Sequence, residues 1–400
     1  MVLPLLWALL AGLALALSYV TGAASFAWVG YLMLAILAIG LGMARLGERG
    51  LRASRYLSRD RVAFGGQIDV ELEVGNGSRL PLLWAYAAET LPAGLQVSGA
   101  RGRVGPLGAK SAFRLRYSLQ GTRRGYYQIG PTVLRTGDMF GLSIRERTGA
   151  PASGLIVFPK IVAIRHARFP SRRTGDVRTR HRVLEDQTQV VGIRPYQRTD
   201  GLKRVHWRAT AHTGQLQSKL YELSAQVDTI IAVSLRRKDY AAAPTEAQES
   251  VELAMVTAAS IAQHVLDRRQ RTGLLAVGWD PAAESVQATV RVPPGRGRDQ
   301  LAVILSVLGR MSLGNSESLA SALNRERETL GWGSLVMVIA PEVSDELLRA
   351  VLGLRTSGFD VNVILVGRGT ALAAESAGLQ AMGITATLVR SEADVRGLGI

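Results

Sequence analysis

The sequence predicts a chain in three parts: two membrane-spanning helices, an antiparallel β-sandwich, and a C-terminal α/β domain of Rossmann type. Three observations carry this reading. The first 44 residues hold no charged side chain. From Arg61 to Pro159, polar and apolar residues alternate with a period of two. From Asp228 onward, short continuous apolar runs alternate with amphipathic helical stretches. The 400 residues suit two to three domains. With 47% hydrophobic residues and a mean hydropathy of +0.13, disorder over most of the length is excluded. Cysteine is absent, which excludes disulfides, zinc ribbons, iron–sulfur clusters and thiol nucleophiles. The net charge of +16 implies an anionic neighbour: a membrane face, a nucleic acid or an acidic protein.

Residues 1–44 form the expected transmembrane hairpin. Leu3 to Val20 and Ser25 to Ala44 are uncharged runs joined by Thr21-Gly22-Ala23-Ala24. Each spans about 27–30 Å as a helix, the thickness of the hydrocarbon core. Trp7, Tyr19, Trp28 and Tyr31 suit the interfaces. A cleaved signal peptide is disfavoured because no Lys or Arg precedes the first run. Residues 45–60 read as a basic juxtamembrane segment. Its Arg45, Arg49, Arg52, Arg55 and Arg59 face only Glu48 and Asp60, and basic flanks stay cytoplasmic. The expected placement is a multi-pass protein of a prokaryotic inner membrane, with both termini and the soluble domains in the cytoplasm. Arg45, Arg49, Arg52 and Arg55 would meet anionic lipid headgroups.

Residues 61–159 read as a sandwich of immunoglobulin or fibronectin type. Gln67 to Val74 alternates without a fault, and Asn76-Gly77 supplies a turn. Phe113, Leu115, Tyr117 and Leu119 alternate with polar neighbours, and further turns fall at Leu91–Gly94, Gly105-Pro106 and Gly130-Pro131. Residues 228–400 read as the α/β domain. Strands are expected at 229–233, 274–279, 286–292, 334–340, 360–366 and 385–389. Helices are expected at 245–269, 299–308, 318–330, 344–354 and 371–379. Residues 160–227 form a basic joint. The part from Lys160 to Lys219 carries 14 Lys or Arg against four acidic residues, and Arg165 to Arg182 reads as a linker.

Catalytic chemistry finds little support. His206 and His212 are six apart, lack a third ligand at a known spacing, and read as polar or interface histidines. Pro293 to Arg298 lacks the spacing of a phosphate loop and reads as a surface turn. No nucleophile elbow occurs. A nucleic-acid reading rests on the basic joint with Tyr126, Tyr127, Tyr196 and Trp207 near it. Anionic lipid and an arginine-rich composition account for the same charge, so no nucleic-acid partner is expected.

The segment Val191 to Gly214 is the most informative. It contains Arg194-x-Tyr196, then Asp200, Arg204, His206-Trp207, Ala211 and Gly214. These positions resemble the signature of the prokaryotic family of unknown function DUF58. Asp138-Met139-Phe140-Gly141-Leu142 resembles the family's Asp-Pro-Phe-Gly-Leu, and Val157-Phe158-Pro159 its Val-Tyr-Pro. The departures are Thr199 for Gly, Met139 for Pro, Val205 for Ile and His212 for Arg. The resemblance implies a von Willebrand factor A-like C-terminal domain. It also implies a partnership with a MoxR-type AAA+ ATPase in assembling or maturing envelope or other complexes. A metal site of that domain type would need Asp-x-Ser-x-Ser after the first α/β strand. Here Ser234-Leu235-Arg236-Arg237 stands there, so no metal or other cofactor is expected.

Read physically, Asp200 and Arg204 would pair across one helical turn, with Arg194 joining them, and Trp207 would anchor the segment. Two roles follow: a packed hinge between the domains, or a docking surface for a partner formed by Arg194, Tyr196, Asp200, Arg204, His206, Trp207, Ala211 and Gly214. The function expected is a membrane-anchored, non-enzymatic scaffold or adaptor facing the cytoplasm. The alternatives are an envelope enzyme with a spatially assembled site and a membrane-tethered nucleic-acid binder.

Overall fold

A computed structural model describes residues 2–165, 185–197, 200–223, 228–240, 243–282, 288–331, 333–369 and 371–398. The linker expected at 165–182 lies, beyond Arg165, outside the described residues. Helices α1 (Val2–Thr21) and α2 (Ala24–Gly50) form an antiparallel hairpin, both long and apolar enough to cross a membrane. At their crossing Gly30 lets the helices close up: a Cβ there would stand 2.7 Å from Leu15 Cγ.

The sandwich is built from β1 (Leu51–Leu57), β2 (Arg61–Val62), β3 (Gln67–Asn76), β4 (Leu82–Glu89), β5 (Leu95–Gly99), β6 (Gly102–Leu107), β7 (Ala112–Gly121), β8 (Gly125–Ile129), β9 (Thr132–Gly137), β10 (Ile144–Thr148) and β11 (Ser153–Val157). Two four-stranded sheets, β1-β3-β7-β5 and β10-β9-β4-β6, are joined by a small sheet β2-β11-β8. Period-two alternation turns Ile68, Val70, Leu72 and Val74 of β3 inward, beside Leu115 and Leu119 of the neighbouring β7 and into one core with Leu134 of the other sheet.

Residues 45–60 are not a separate juxtamembrane segment. Helix α2 continues to Gly50, where its buried Gly40, Ala44, Gly47 and Gly50 let the sandwich approach closely. The chain enters β1 at the next residue. Arg55 is consequently misassigned as a lipid contact. It shares the inward parity of Leu51, Ala53 and Leu57, and its buried guanidinium grips the buried Glu89. Nη2 to Oε2 is 2.6 Å and Nε to Oε1 is 3.2 Å, with further donation to the carbonyls of Ile129 and Pro151. Arg45, Arg49 and Arg52 are exposed.

Next come β12 (Glu185–Pro195), α3 (Trp207–Thr213) and β13 (Gln217–Leu223), an arm whose two strands form a sheet of their own. The α/β domain comprises β14 (Thr229–Ser234), α4 (Pro244–Asp267), β15 (Thr272–Gly278), β16 (Ala288–Gly295), α5 (Gly297–Arg310), α6 (Leu319–Glu326), β17 (Leu335–Ala340), α7 (Asp345–Thr356), β18 (Asp360–Val366), α8 (Ala371–Ala381), β19 (Thr385–Val389) and α9 (Glu392–Arg396). The strand order β16-β15-β14-β17-β18-β19 is that of a doubly wound sheet, parallel except for the antiparallel edge strand β16. Helices α4, α5 and α9 cover one face, and α6, α7 and α8 the other. The stretch Pro293–Arg298, expected as a surface turn, ends β16 and enters α5.

The start of the basic joint is not a linker. Val162 and Ile164 are buried in the α/β core. Sandwich and α/β domain meet at buried Arg124, which donates to the carbonyls of Leu308 (3.1 Å) and Met311 (2.8 Å) and pairs with Glu252 at 3.1 Å. Burial pulls this guanidinium's pKa down, against the opposing charge of Glu252.

Candidate docking surface

The arm is ordered around Asp200. Its carboxylate is buried and accepts from Arg194 Nη2 at 2.6 Å, from the Gln197 N–H at 3.0 Å and from the Ser218 hydroxyl at 3.0 Å. The Gln197 N–H is the largest influence holding this carboxyl below its ordinary pKa, followed by the hydrogen bonds from Arg194 and Ser218. Arg204 lies 3.9 Å from the same carboxylate, so the expected four-residue pair is present but secondary to Arg194. Tyr196 closes the turn: its hydroxyl donates to the Asp200 carbonyl at 2.8 Å and its N–H to Leu216 at 2.9 Å.

This turn delivers the chain to α3. His206 is the N-cap: Nδ1 accepts from the Ala209 N–H at 3.1 Å, and its own N–H donates to Gln217 at 2.8 Å. His206 thus serves a structural purpose that the spacing to His212 did not reveal. Gly214 stops the helix in the left-handed region at φ 70°, its N–H donating to Thr210. Ala211 and His212 are exposed on α3.

Trp207 does not pack as a hinge between domains. It is the first residue of α3 and is 65% exposed. Leu202 is 70% exposed, and Ile193 and Leu216 are exposed as well. Asp200 is the one acidic residue between Gly192 and Lys219, against Arg194, Arg198, Lys203, Arg204, Arg208 and Lys219. Apolar side chains in a basic frame, set on a turn tied from within, suit a partner with an acidic rim and an apolar pocket. Ser218 was not singled out in the sequence. Its role depends on β12 pairing with β13 in a register that places Arg194 opposite Ser218.

The α/β domain offers less. At the carboxyl end of β14, where doubly wound sheets bind ligands, the Ser234 hydroxyl donates to Asp239 at 2.6 Å. Arg236 lies 3.9 Å from Asp239, and the Tyr240 hydroxyl donates to the Ser234 carbonyl at 2.7 Å. Nearby Glu342 is pushed up in pKa by burial, then by Asp239 and Glu375. Among the described residues no cluster of three or more His, Asp or Glu can hold a metal ion. A cavity of about 240 Å³ lies at the opposite, amino end of the sheet. Asp228 Oδ2 lies 3.5 Å from Arg271 and Arg291 pairs with Glu326 at 2.9 Å, while Asp228 Oδ1 is buried without a hydrogen-bond partner.

Residues 192–367 match the family model described as protein of unknown function DUF58. The chain is 22% identical over 245 residues to the uncharacterized protein YeaD of Bacillus subtilis (strain 168), covering 58% of this chain and 56% of the relative, little more than half of its length. Among solved structures, it is similar to a von Willebrand factor type A protein from Catenulispora acidiphila. That likeness has 10% identity, covers 45% of this chain and 42% of the other, and has a TM-score of 0.29. The CARDB domain of a Pyrococcus furiosus protein is 15% identical, covering 27% of this chain and 86% of the domain, with a TM-score of 0.20.

Proposed function

We propose, starting from the match of residues 192–367 to the DUF58 family model, that this chain is a membrane-anchored scaffold that recruits a protein partner through the arm. The helices α1 and α2 hold it in the bilayer, with the soluble domains in the cytoplasm as the Arg45 and Arg49 collar favours. Arg45, Arg49 and Arg52 meet anionic headgroups. The partner is a MoxR-type AAA+ ATPase, the class to which the family resemblance points. Docking needs neither metal nor catalysis on this chain.

One observation carries the reading: Trp207 stands 65% exposed at the start of α3, just after a turn whose interior is fixed by a buried carboxylate. A large aromatic held outward on an ordered support has little conformational freedom left to lose, which favours association. Leu202 extends the apolar contact, and Lys203, Arg204 and Arg208 supply the charged frame.

The test is purification of the intact protein from its native membranes in mild detergent, with and without ATP, followed by mass spectrometry. Stoichiometric, ATP-sensitive recovery of an AAA+ ATPase is expected from the native chain and not from Trp207→Ala. Equal recovery by a folded Trp207→Ala protein would remove the arm from the interface.

A further inference from the structure

We propose that the sandwich is seated in the membrane surface, with the loop between β9 and β10 dipping into the lipid beside helix α2. This rests on the reading of α1 and α2 as membrane spans, and it assigns the Asp138–Leu142 motif a purpose that docking through the arm leaves unexplained.

The position of the loop comes from its contact with the helix. A Cβ on Gly40 would stand 3.1 Å from Asp138 Oδ2, so the loop lies against α2 at Gly40. Further along the helix, a Cβ on Gly47 would stand 2.8 Å from Leu82 Cδ2, and Gly50 borders Asn76 and Ser78. The sandwich therefore flanks α2 from Gly40 to Gly50, with the loop nearest the bilayer. The first charged side chain of the chain is Arg45. Gly40 lies five residues before it, about 7.5 Å deeper at 1.5 Å per residue. A loop at that level is on the lipid side of the helix's own charge boundary.

The loop's surface suits that depth. Met139 is 60% exposed and Ile144 63%, and Phe140 is exposed with them. Leu83 is exposed on β4, next to the Trp84 that packs under Gly137. These side chains lie at the end of the sandwich that borders α2 at Gly40.

Its backbone suits that depth too. Near hydrocarbon, an N–H without a partner is costly. Asp138, itself buried, accepts from the N–H groups of Phe140 (3.0 Å), Leu142 (3.2 Å) and Ser143 (2.6 Å). The carboxylate satisfies from inside what water would otherwise satisfy, which leaves apolar side chains to point outward.

The chain has no cysteine, so single labels are unambiguous. Met139→Cys, Ala93→Cys and Leu13→Cys are each introduced into the full chain and labelled with an environment-sensitive fluorophore. The proteins are reconstituted into vesicles of phosphatidylcholine and phosphatidylglycerol. Ala93 is exposed in the β4–β5 connection, at the other end of the sandwich. The label at 139 is expected to be quenched by lipids carrying a nitroxide near the headgroup, and several-fold less by aqueous iodide than the label at 93. A label at 13 shielded from iodide with a label at 139 as open to it as that at 93 would overturn the seat alone. A label at 13 open to iodide would overturn the membrane reading and the seat together. Shielding at 139 without nitroxide quenching would assign the loop to protein contact and also overturn the proposal.

Discussion

Arg194 and Asp200 meet at 2.6 Å across a turn, the guanidinium half-buried and the carboxylate buried, and the ordered arm depends on that pair. Asp200 also holds the Gln197 N–H and the Ser218 hydroxyl, so it ties β12 and β13 to the turn. Asp200→Asn keeps the size and removes the charge that Arg194 faces. Amide hydrogen exchange from Val205 to Lys219 is expected to speed up markedly, with β14 and β17 unchanged. Unaltered exchange in the arm would show that the pair is incidental.

The same carboxylate sets a pH dependence. Its folded-state pKa lies below the ordinary value, chiefly through the Gln197 N–H, so the disordered arm binds the proton more tightly. The stabilisation is complete above the ordinary carboxylate range and is lost as pH falls through the lowered value. Exchange in the arm, corrected for its intrinsic rate, is expected to rise over that acid window in the native chain. Asp200→Asn should flatten the profile there.

Within the sandwich, Arg55→Ala leaves Glu89 buried without its partner. A loss of about 3–5 kcal/mol is expected in thermal or denaturant unfolding. Exposed Arg52→Ala should stay within about 0.5 kcal/mol. The double replacement Arg55→Met with Glu89→Leu should recover most of the loss, because no charge is left buried.

Arg124 joins the two soluble domains. Arg124→Ala removes its donors to Leu308 and Met311 and its pair with Glu252. A loss of about 1–3 kcal/mol is expected, with the calorimetric transitions of sandwich and α/β domain drawing apart. A single unshifted transition would contradict this.

Magnesium is expected to leave the melting temperature unchanged. Ser234 donates to Asp239, and Arg236 adds positive charge where a hard cation would need carboxylates. A saturable stabilisation would reveal a site that these residues do not describe.

Much of the fold was legible because its signals are local. The span Asp360–Val366 and the last strand Thr385–Val389 read directly as apolar runs, and Gln67–Val74 as a faultless alternation. The mistakes had local causes as well. Taking 45–60 as a charge run hid the parity of Leu51, Ala53, Arg55 and Leu57, which marks a strand with Arg55 inward. Its partner Glu89 is 34 residues away and carries no local signal. At the candidate site, Arg194, Asp200 and Arg204 converge as their spacing suggested, and the Tyr196 hydroxyl joins them at the Asp200 carbonyl. The exposure of Trp207 could not be read, because an aromatic at the start of a helix has the same sequence whether it is buried or not.

The most direct test of recruitment through the arm is photo-crosslinking at position 207. A photoreactive phenylalanine replaces Trp207 in the full chain, and native membranes are irradiated with and without ATP. The expected result is one dominant crosslink to an AAA+ ATPase that changes with ATP, with none from the same group placed at Ala93. Crosslinks only to lipid or within the chain, from a protein whose arm retains its exchange protection, would contradict docking through Trp207.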